Sequence, residues 1–493
     1  MVLEIRSFIL FLSLFIIPLV SAQQPLYPIP YGALPDERQC RWQEMEMYVL
    51  IHFTPTTFEN KEWGYGDANP SIFNPHNFDA SRIVNAVKAG GFKGVILVAK
   101  HHDGFCLWPT KTTPYNISQS PWKNGRGDMV KEFEKATRDA GLRFGIYCSP
   151  WDRNASCYGA PDYVKIYREQ LRELYSRYGE LFITWFDGAN GGDGYYGGAK
   201  ETRTIDRATY YKWDTIWQMV RQMQPSAVIF SDVGDVRWVG NEEGHVAETS
   251  WATFTPEPLD GKTITAPGEM KYWKSPEGTR NGKYWEPAEC DVPLRPGWFY
   301  HPADDNKVKT ASDLFDLYCK SVGRGACLDL GLSPDTMGML HVNNISVLQA
   351  FGQLLQQTFA VDLAHKAILR ASNTRANNDL FDVKNLVDED RYSYWATDDT
   401  VTCASVELDW SQPVNFNLIR LRENIKLGQR IEKVEVDSWQ DNTWTKTVET
   451  TSIGANRLIR LPEAITTTKI RIRIVKSPVC ITLSDVGVFK ESE

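Results

Sequence analysis

Residues 95–100 read VILVAK, an apolar run closed by a single lysine. The run is too short for a globular helix and shows no polar alternation, so it is a strand buried on both faces. Working outward, Met47–Phe53 (MYVLIHF), Phe144–Ser149 (FGIYCS), Leu181–Phe186 (LFITWF) and Ala227–Ser231 (AVIFS) repeat the pattern. Between these strands lie amphipathic helices over Ala80–Ala89, Met129–Ala140, Asp162–Tyr178 and Arg207–Met223. Strands alternating with helices make a parallel sheet covered on both sides, and this many units favour a (β/α)8-like barrel over an open sheet. No Gly-x-Gly-x-x-Gly follows the first strand, so no dinucleotide site is indicated.

Residues 233–310 are rich in Gly, Pro and Trp and read as long loops. Helix Ala311–Gly323, strand Cys327–Leu332 and helix Val342–Gln357 then complete the α/β region. From about residue 366 the texture changes to short alternating strands: Val401–Leu408, Phe416–Leu421, Ile431–Ser438, Arg457–Leu461 and Lys469–Val475. Such spacing is the mark of a β-sandwich or jelly roll. The expected organisation is therefore a barrel over 23–360 and a sandwich over 366–493, two domains where length alone suggests about three.

The first 22 residues have the grammar of a signal peptide: Arg6, an apolar run from Phe8 to Val20, and small residues at Val20-Ser21-Ala22 before Gln23. An exported protein, periplasmic or extracellular, is expected. No later stretch approaches the length of a membrane span, so no membrane insertion follows removal of the signal. With 62 acidic and 54 basic side chains the net charge is −8, which disfavours a nucleic-acid partner. The 17 tryptophans stand out, because flat amphipathic rings suit sugar faces as well as cores.

Nine cysteines include no CxxC pair, which removes the common zinc and redox motifs. Cys403 with Cys480, and Cys148 with Cys157, are candidate bridges; buried free thiols are the alternative. Asn116, Asn154 and Asn344 begin N-x-Ser/Thr sequons, relevant only in a eukaryotic secretory host.

Barrel chemistry sits at the C-terminal ends of strands. Those ends carry His52, then Lys100-His101-His102-Asp103, then Trp151-Asp152, then Trp185-Phe186-Asp187-Gly188, then Asp232 leading into Arg237–Glu242. Asp187 is delivered to the rim by an apolar strand, where a carboxylate can attack an anomeric carbon without a cofactor; the alternative is a turn-capping aspartate. Glu242 can supply the second carboxyl of a glycosidase pair, with Glu243 and Glu248 as rivals on the same loop. The three histidines raise a metal site as another reading. The HxH and HExxH spacings are absent, however, and His101 and His102 reach one ion only if the strand has ended before them.

Several segments resemble the α-L-fucosidases of glycoside hydrolase family 29: LIHF at 50–53, EWG at 62–64, AKHHDGF at 99–105, SPWDR at 149–153 and WFDGA at 185–189. FSD at 230–232, RWVGNE at 237–242, PAECD at 287–291 and RPGWF at 295–299 continue the resemblance, the last of these toward the branch acting on α-1,3 and α-1,4 fucosyl linkages. The resemblance implies Asp187 as nucleophile and Glu242 as acid/base of a retaining exo-α-L-fucosidase. It further implies His52, Glu62, Trp63, His101, His102, Tyr147, Trp151, Trp185 and Arg237 around the sugar, no metal and no cofactor, and fucosylated oligosaccharides or glycoconjugates as substrates. The Gly-rich insertion at 191–198 lies beside the nucleophile, where it could reshape the rim. The terminal segment, with NLVD at 385–388 and YWA at 394–396, resembles discoidin-like (F5/8 type C) jelly rolls, which either bind carbohydrate or brace the catalytic domain. The competing functions are a metal-dependent carbohydrate hydrolase and a non-enzymatic carbohydrate-binding protein.

Overall fold

A computed structural model describes residues 26–492; the signal-type segment lies outside them. Eight parallel strands form the first domain: β1 Met47–Ile51, β2 Gly94–Lys100, β3 Arg143–Cys148, β4 Ile183–Trp185, β5 Val228–Phe230, β6 Arg237–Trp238, β7 Ala288–Pro293 and β8 Cys327–Leu332. Their order is β5-β4-β3-β2-β1-β8-β7-β6. An isolated parallel bridge between Phe230 and Val236 spans the seam between β5 and β6, so the barrel is nearly closed. β1 and β2 are buried at every position, as runs covered by helices outside and side chains inside must be.

The barrel departs from a regular alternation. Among the described residues no α-helix lies between Trp213–Met223 and Ala311–Lys320, so β6 and β7 are joined only by loops and the short hairpin Thr253–Phe254/Tyr284–Trp285. Two barrel strands thus lie inside the segment expected to be loop. β7 escaped notice because its inward positions carry Glu289 and Asp291, so no apolar run marks it. Helix Glu37–Met45 plugs the N-terminal end: Trp42 and Met45 join the interior cluster of Tyr48, Ile96, Ile183 and Cys327.

The second domain is an antiparallel sandwich. Its two long strands, Ala404–Glu423 and Arg457–Lys476, pair along their length with register shifts between Asp409 and Val414 and between Phe416 and Leu418. Those irregularities bend the sheet about a core containing Trp395, Val406, Leu408, Ile419, Ile470 and Ile472. Thr443–Thr450 and Thr482–Phe489 are additional strands, too polar or too short of clean alternation to read from sequence. Leu418, Leu458 and Phe489 of the sandwich join the barrel's outer core, so the two domains share an apolar contact.

All nine cysteines are free thiols. The candidate pair Cys403–Cys480 is not formed: Cys403 is exposed beside the Val475 carbonyl, while Cys480 is buried against the Arg430 guanidinium. Cys148 and Cys157 are likewise unbridged. Two sequon asparagines, Asn116 and Asn344, are interior residues and so cannot display a glycan. No helix among the described residues is long and apolar enough to cross a membrane.

Candidate active site

The strand ends open into a cavity of about 360 Å³. Asp187, Glu242, His52, Trp63, His101, His102, Tyr147 and Trp185 all line it. β2 ends at Lys100 after a register shift, and the two histidines lie just beyond. The strand has therefore ended before them, and both rings turn to the same cavity, 4.1 Å apart between centroids. Among the described residues no three His, Cys, Asp or Glu side chains are arranged to hold a metal ion.

Asp187 stands two residues beyond β4. The Tyr147 hydroxyl donates to its Oδ2 at 2.9 Å, and the Ala189 N–H donates to its Oδ1 at 2.6 Å. Burial and the adjacent Asp187 carboxylate push the Tyr147 phenol well above its ordinary value, so it keeps its proton and donates. His102 Nε2 lies 3.6 Å from the same carboxylate oxygen. Ser149 Oγ donates to the Trp151 carbonyl at 2.9 Å and so accepts from His102 Nδ1 at 2.7 Å. This assigns the Nδ1–H tautomer and leaves Nε2 as an acceptor facing the cavity.

Burial holds all three histidines neutral. His52 is lowered to about 3, with nearby His102 adding to the effect. His102 is lowered to about 4 despite the opposing pull of Asp187, and His101 falls well below its ordinary value. Nδ1 of His52 and Nδ1 of His101 are buried without a hydrogen-bond partner among the described residues.

Glu242 lies on the loop after β6, at the cavity rim. Partial burial raises its pKa, a hydrogen bond from the Trp298 indole works against this, and the charges of Asp187 and Glu62 raise it further. The rival carboxylates stand elsewhere: Glu243 is exposed beside His245, and Glu248 is paired with Arg324 and Arg457. One of the loop's three candidate carboxyls thus faces the cavity.

Hydrogen bonds among and behind the lining residues fix the walls. The Trp185 indole donates to Glu289 Oε1 at 2.7 Å, Tyr48 donates to Glu289 Oε2, and the Trp238 indole donates to Asp291 Oδ1 at 2.7 Å. Burial pushes Glu289 up to about 8 and Asp291 well above the usual carboxylate range. On the opposite rim Asp232 accepts from Gly268 N at 2.6 Å and Tyr272 OH at 2.8 Å. Gly268 has φ +75°, and a Cβ there would sit 2.0 Å from the Gly188 carbonyl oxygen, so only glycine lets this loop close on the Asp187 turn.

Three residues expected around the sugar lie outside the cavity lining. Arg237 is buried, with its guanidinium donating to the carbonyls of Ser275, Trp251 and Glu286; it ties loops together. Trp151 stands behind His102 and Trp63 and donates to Tyr196 OH at 2.9 Å. Glu62 accepts from the N–H groups of Trp298 and Phe299 and contacts His301 Nε2 at 3.0 Å, holding the loop that brings Trp298 to the cavity. The Gly-rich insertion forms a hairpin, Gly192–Gly194 with Glu201–Arg203, packed on Trp151. Arg207 and Tyr272, by contrast, line the cavity. Arg207 was expected at the start of a helix over Arg207–Met223, but the helix begins at Trp213 and leaves Arg207 on the preceding loop, while Tyr272 sits on a loop without periodicity.

A carboxylate held by two donors, a second carboxyl with a raised pKa, neutral polar rings and aromatic walls at the mouth of a barrel define a glycoside hydrolase. Comparison with known proteins agrees. Residues 31–358 match the α-L-fucosidase family and residues 369–484 the F5/8 type C domain. Alpha-L-fucosidase 1 of Arabidopsis thaliana is 37% identical over 99% of this chain and 94% of its own length. A glycoside hydrolase 29 family member from an unknown rumen bacterium superposes with TM-score 0.82 at 38% identity, covering 94% of this chain and 78% of that one. A Ruminococcus gnavus family 29 fucosidase in complex with fucose superposes with TM-score 0.83 at 29% identity, covering 95% and 97%. The chain belongs to the α-L-fucosidase family, glycoside hydrolase family 29, and carries a C-terminal F5/8 type C domain.

Proposed function

We propose that the protein is an exported, retaining exo-α-L-fucosidase that removes terminal α-1,3- or α-1,4-linked fucose from branched glycans. The observation that carries the reading is the Asp187 carboxylate, oriented by Tyr147 and Ala189 in a cavity that also receives Glu242. In the first step Asp187 attacks the anomeric carbon and the glycosidic C–O bond breaks, while protonated Glu242 gives its proton to the leaving oxygen. In the second step Glu242 takes a proton from water, which displaces Asp187 and releases fucose. The raised pKa of Glu242 supports its holding the proton before the first step. His52, His101 and the bare Nε2 of His102 would pair with sugar hydroxyls, and Trp63 and Trp298 would pack on the ring, while Trp185, stacked against Tyr147 and Phe230, would offer its edge. The linkage preference rests on motif resemblance alone, and export rests on the signal-type residues 1–22.

Fucose release from paired linkage isomers tests the specificity. Branched Lewis-type glycans should be cleaved much faster than linear α-1,2-fucosylated ones; the reverse order would overturn the branch assignment. Replacing Asp187 with alanine should abolish turnover while sparing binding, and release at the parent rate would sink its assignment as nucleophile. Expression with the full leader should give a secreted chain beginning at Gln23, and retention of an intact leader inside the cell would sink export.

A further inference from the structure

The loop that carries Glu242 runs on to residues 248–252, where it meets the C-terminal sandwich. There four backbone groups are met by four sandwich side chains, of which Thr451 Oγ1 makes only a long bond of 3.3 Å to the Glu248 carbonyl. Arg457 Nη1 donates to the Glu248 carbonyl at 2.7 Å, and Nη2 pairs with the Glu248 carboxylate. Gln429 donates to the Ser250 carbonyl at 2.9 Å and accepts from the Ala252 N–H at 2.8 Å. Ser452 Oγ donates to the Ser250 carbonyl at 2.8 Å and accepts from the Ser250 N–H at 3.1 Å.

The Gln429 and Ser452 contacts are buried, whereas the Arg457–Glu248 pair is open to solvent on the Glu248 side. Arg457 is 2% exposed, and burial lowers its pKa to about 10, yet it stays charged against Glu248. Gln429, Ser452 and Ser250 are also buried. The barrel supports this stretch as well: Arg324 Nη1 to the Val246 carbonyl at 2.9 Å, Val246 N–H to the Lys320 carbonyl at 3.3 Å, Ala247 N–H to the Pro276 carbonyl at 3.0 Å, Trp251 N–H to the Glu277 carbonyl at 2.7 Å, Arg237 Nη2 to the Trp251 carbonyl at 3.0 Å, and Gly244 against Val292. Five residues lie between Glu242 and Glu248, so the sandwich contacts stand close along the chain to the carboxyl.

We propose that the sandwich domain positions the acid/base carboxyl: Arg457, Gln429 and Ser452 are positioning residues that clamp the loop at 248–252 and thereby set Glu242 at the cavity rim. The proposal rests on the reading of Glu242 as acid/base.

The test uses the full-length enzyme and two fucosides, one with an activated nitrophenol leaving group and one with a sugar leaving group. A general acid matters far more for the poor leaving group. Gln429→Ala, Ser452→Ala, their double variant, Arg457→Ala and the barrel-side Glu248→Ala should each lower kcat/KM for the sugar aglycone, by about tenfold in the double variant, a part of the 10²–10⁴-fold a general acid supplies. The activated substrate should lose less than about threefold. In a Glu242→Ala background the same substitutions should cost nothing further. Equal losses on both substrates, no loss, or full additivity with Glu242→Ala would overturn the proposal. Glu242→Ala alone separates the two ideas. If it shows no leaving-group dependence and no rescue by azide, the acid/base reading fails, and the clamp loses its object with it. If it shows both and the clamp variants show neither, the clamp alone is wrong. Should Arg457→Ala fail to fold, Gln429→Ala and Ser452→Ala, which remove few atoms, decide the matter.

Discussion

The phenol of Tyr147 donates to Oδ2 of Asp187 at 2.9 Å, while Oδ1 of that carboxylate takes the Ala189 N–H. Both oxygens are therefore oriented before substrate arrives. A hydrogen bond to a charged group contributes about 1.5–3 kcal/mol. Tyr147→Phe should lower kcat/KM by about 10–100-fold with little change in melting temperature. Unchanged kinetics on a chromogenic fucoside would mean that Ala189 alone orients Asp187.

The pH profile should report Glu242. The first-step role proposed for it requires the protonated form, so activity should fall as pH rises through its raised pKa. Asp187 contributes to that rise through like charge, so Asp187→Asn should move the Glu242 titration to lower pH. Carbon-13 NMR of labelled glutamate can follow it; no movement, or movement upward, would contradict the coupling.

Sugar binding should be insensitive to histidine protonation. With His52 lowered to about 3 and His102 to about 4, both are neutral from pH 5 to 8. Fucose affinity measured by calorimetry on Asp187→Asn should show no histidine step over that window, the cavity-lining Asp232, which burial raises to about 6, being the group that titrates there. His102→Ala should weaken it by about 1–3 kcal/mol, the cost of losing a buried hydrogen-bond partner. A step near pH 6.5 that vanishes in His102→Ala or His52→Ala would show a charged ring in the site.

Arg237 should behave as a stabilising residue. Its guanidinium serves three buried carbonyls, and Arg237→Met strands them. A loss of about 3 kcal/mol or more is expected, seen as a lower melting temperature. Activity per folded molecule should be nearly retained well below that temperature. A specific rise in KM without destabilisation would return Arg237 to the sugar site.

The barrel interior should impose a pH-dependent cost. Asp329 is buried beside Glu289 with neither carboxylate oxygen partnered among the described residues, and burial followed by that neighbour's charge holds its pKa well above the usual range. The folded state thus keeps a proton that the unfolded chain releases near pH 3.8. Stability is consequently lost as pH rises above that value, by up to about 1.4 kcal/mol per pH unit. Asp329→Asn should match the parent near pH 4 and melt higher at pH 7. A lower melting temperature at pH 7 would mean that the carboxylate has a role that an amide cannot fill.

The sequence by itself determined the layered barrel, the sandwich and most of the cavity. Continuous apolar runs such as VILVAK can lie only between two covering layers, and side chains just beyond their ends must reach the barrel mouth. Eight of the eleven expected residues line the cavity for that reason. What tertiary structure decided lies where periodicity fails. β7 carries Glu289 and Asp291 into the barrel, so its burial is paid by proton retention and indole hydrogen bonds that no hydrophobic pattern announces. Arg237 sits in a cavity-facing motif yet turns to loop carbonyls, because its length lets the guanidinium leave the strand it comes from. The domain contact pairs Arg457 with Glu248 across 209 positions, a distance over which chain order carries no information and only packing brings side chains together.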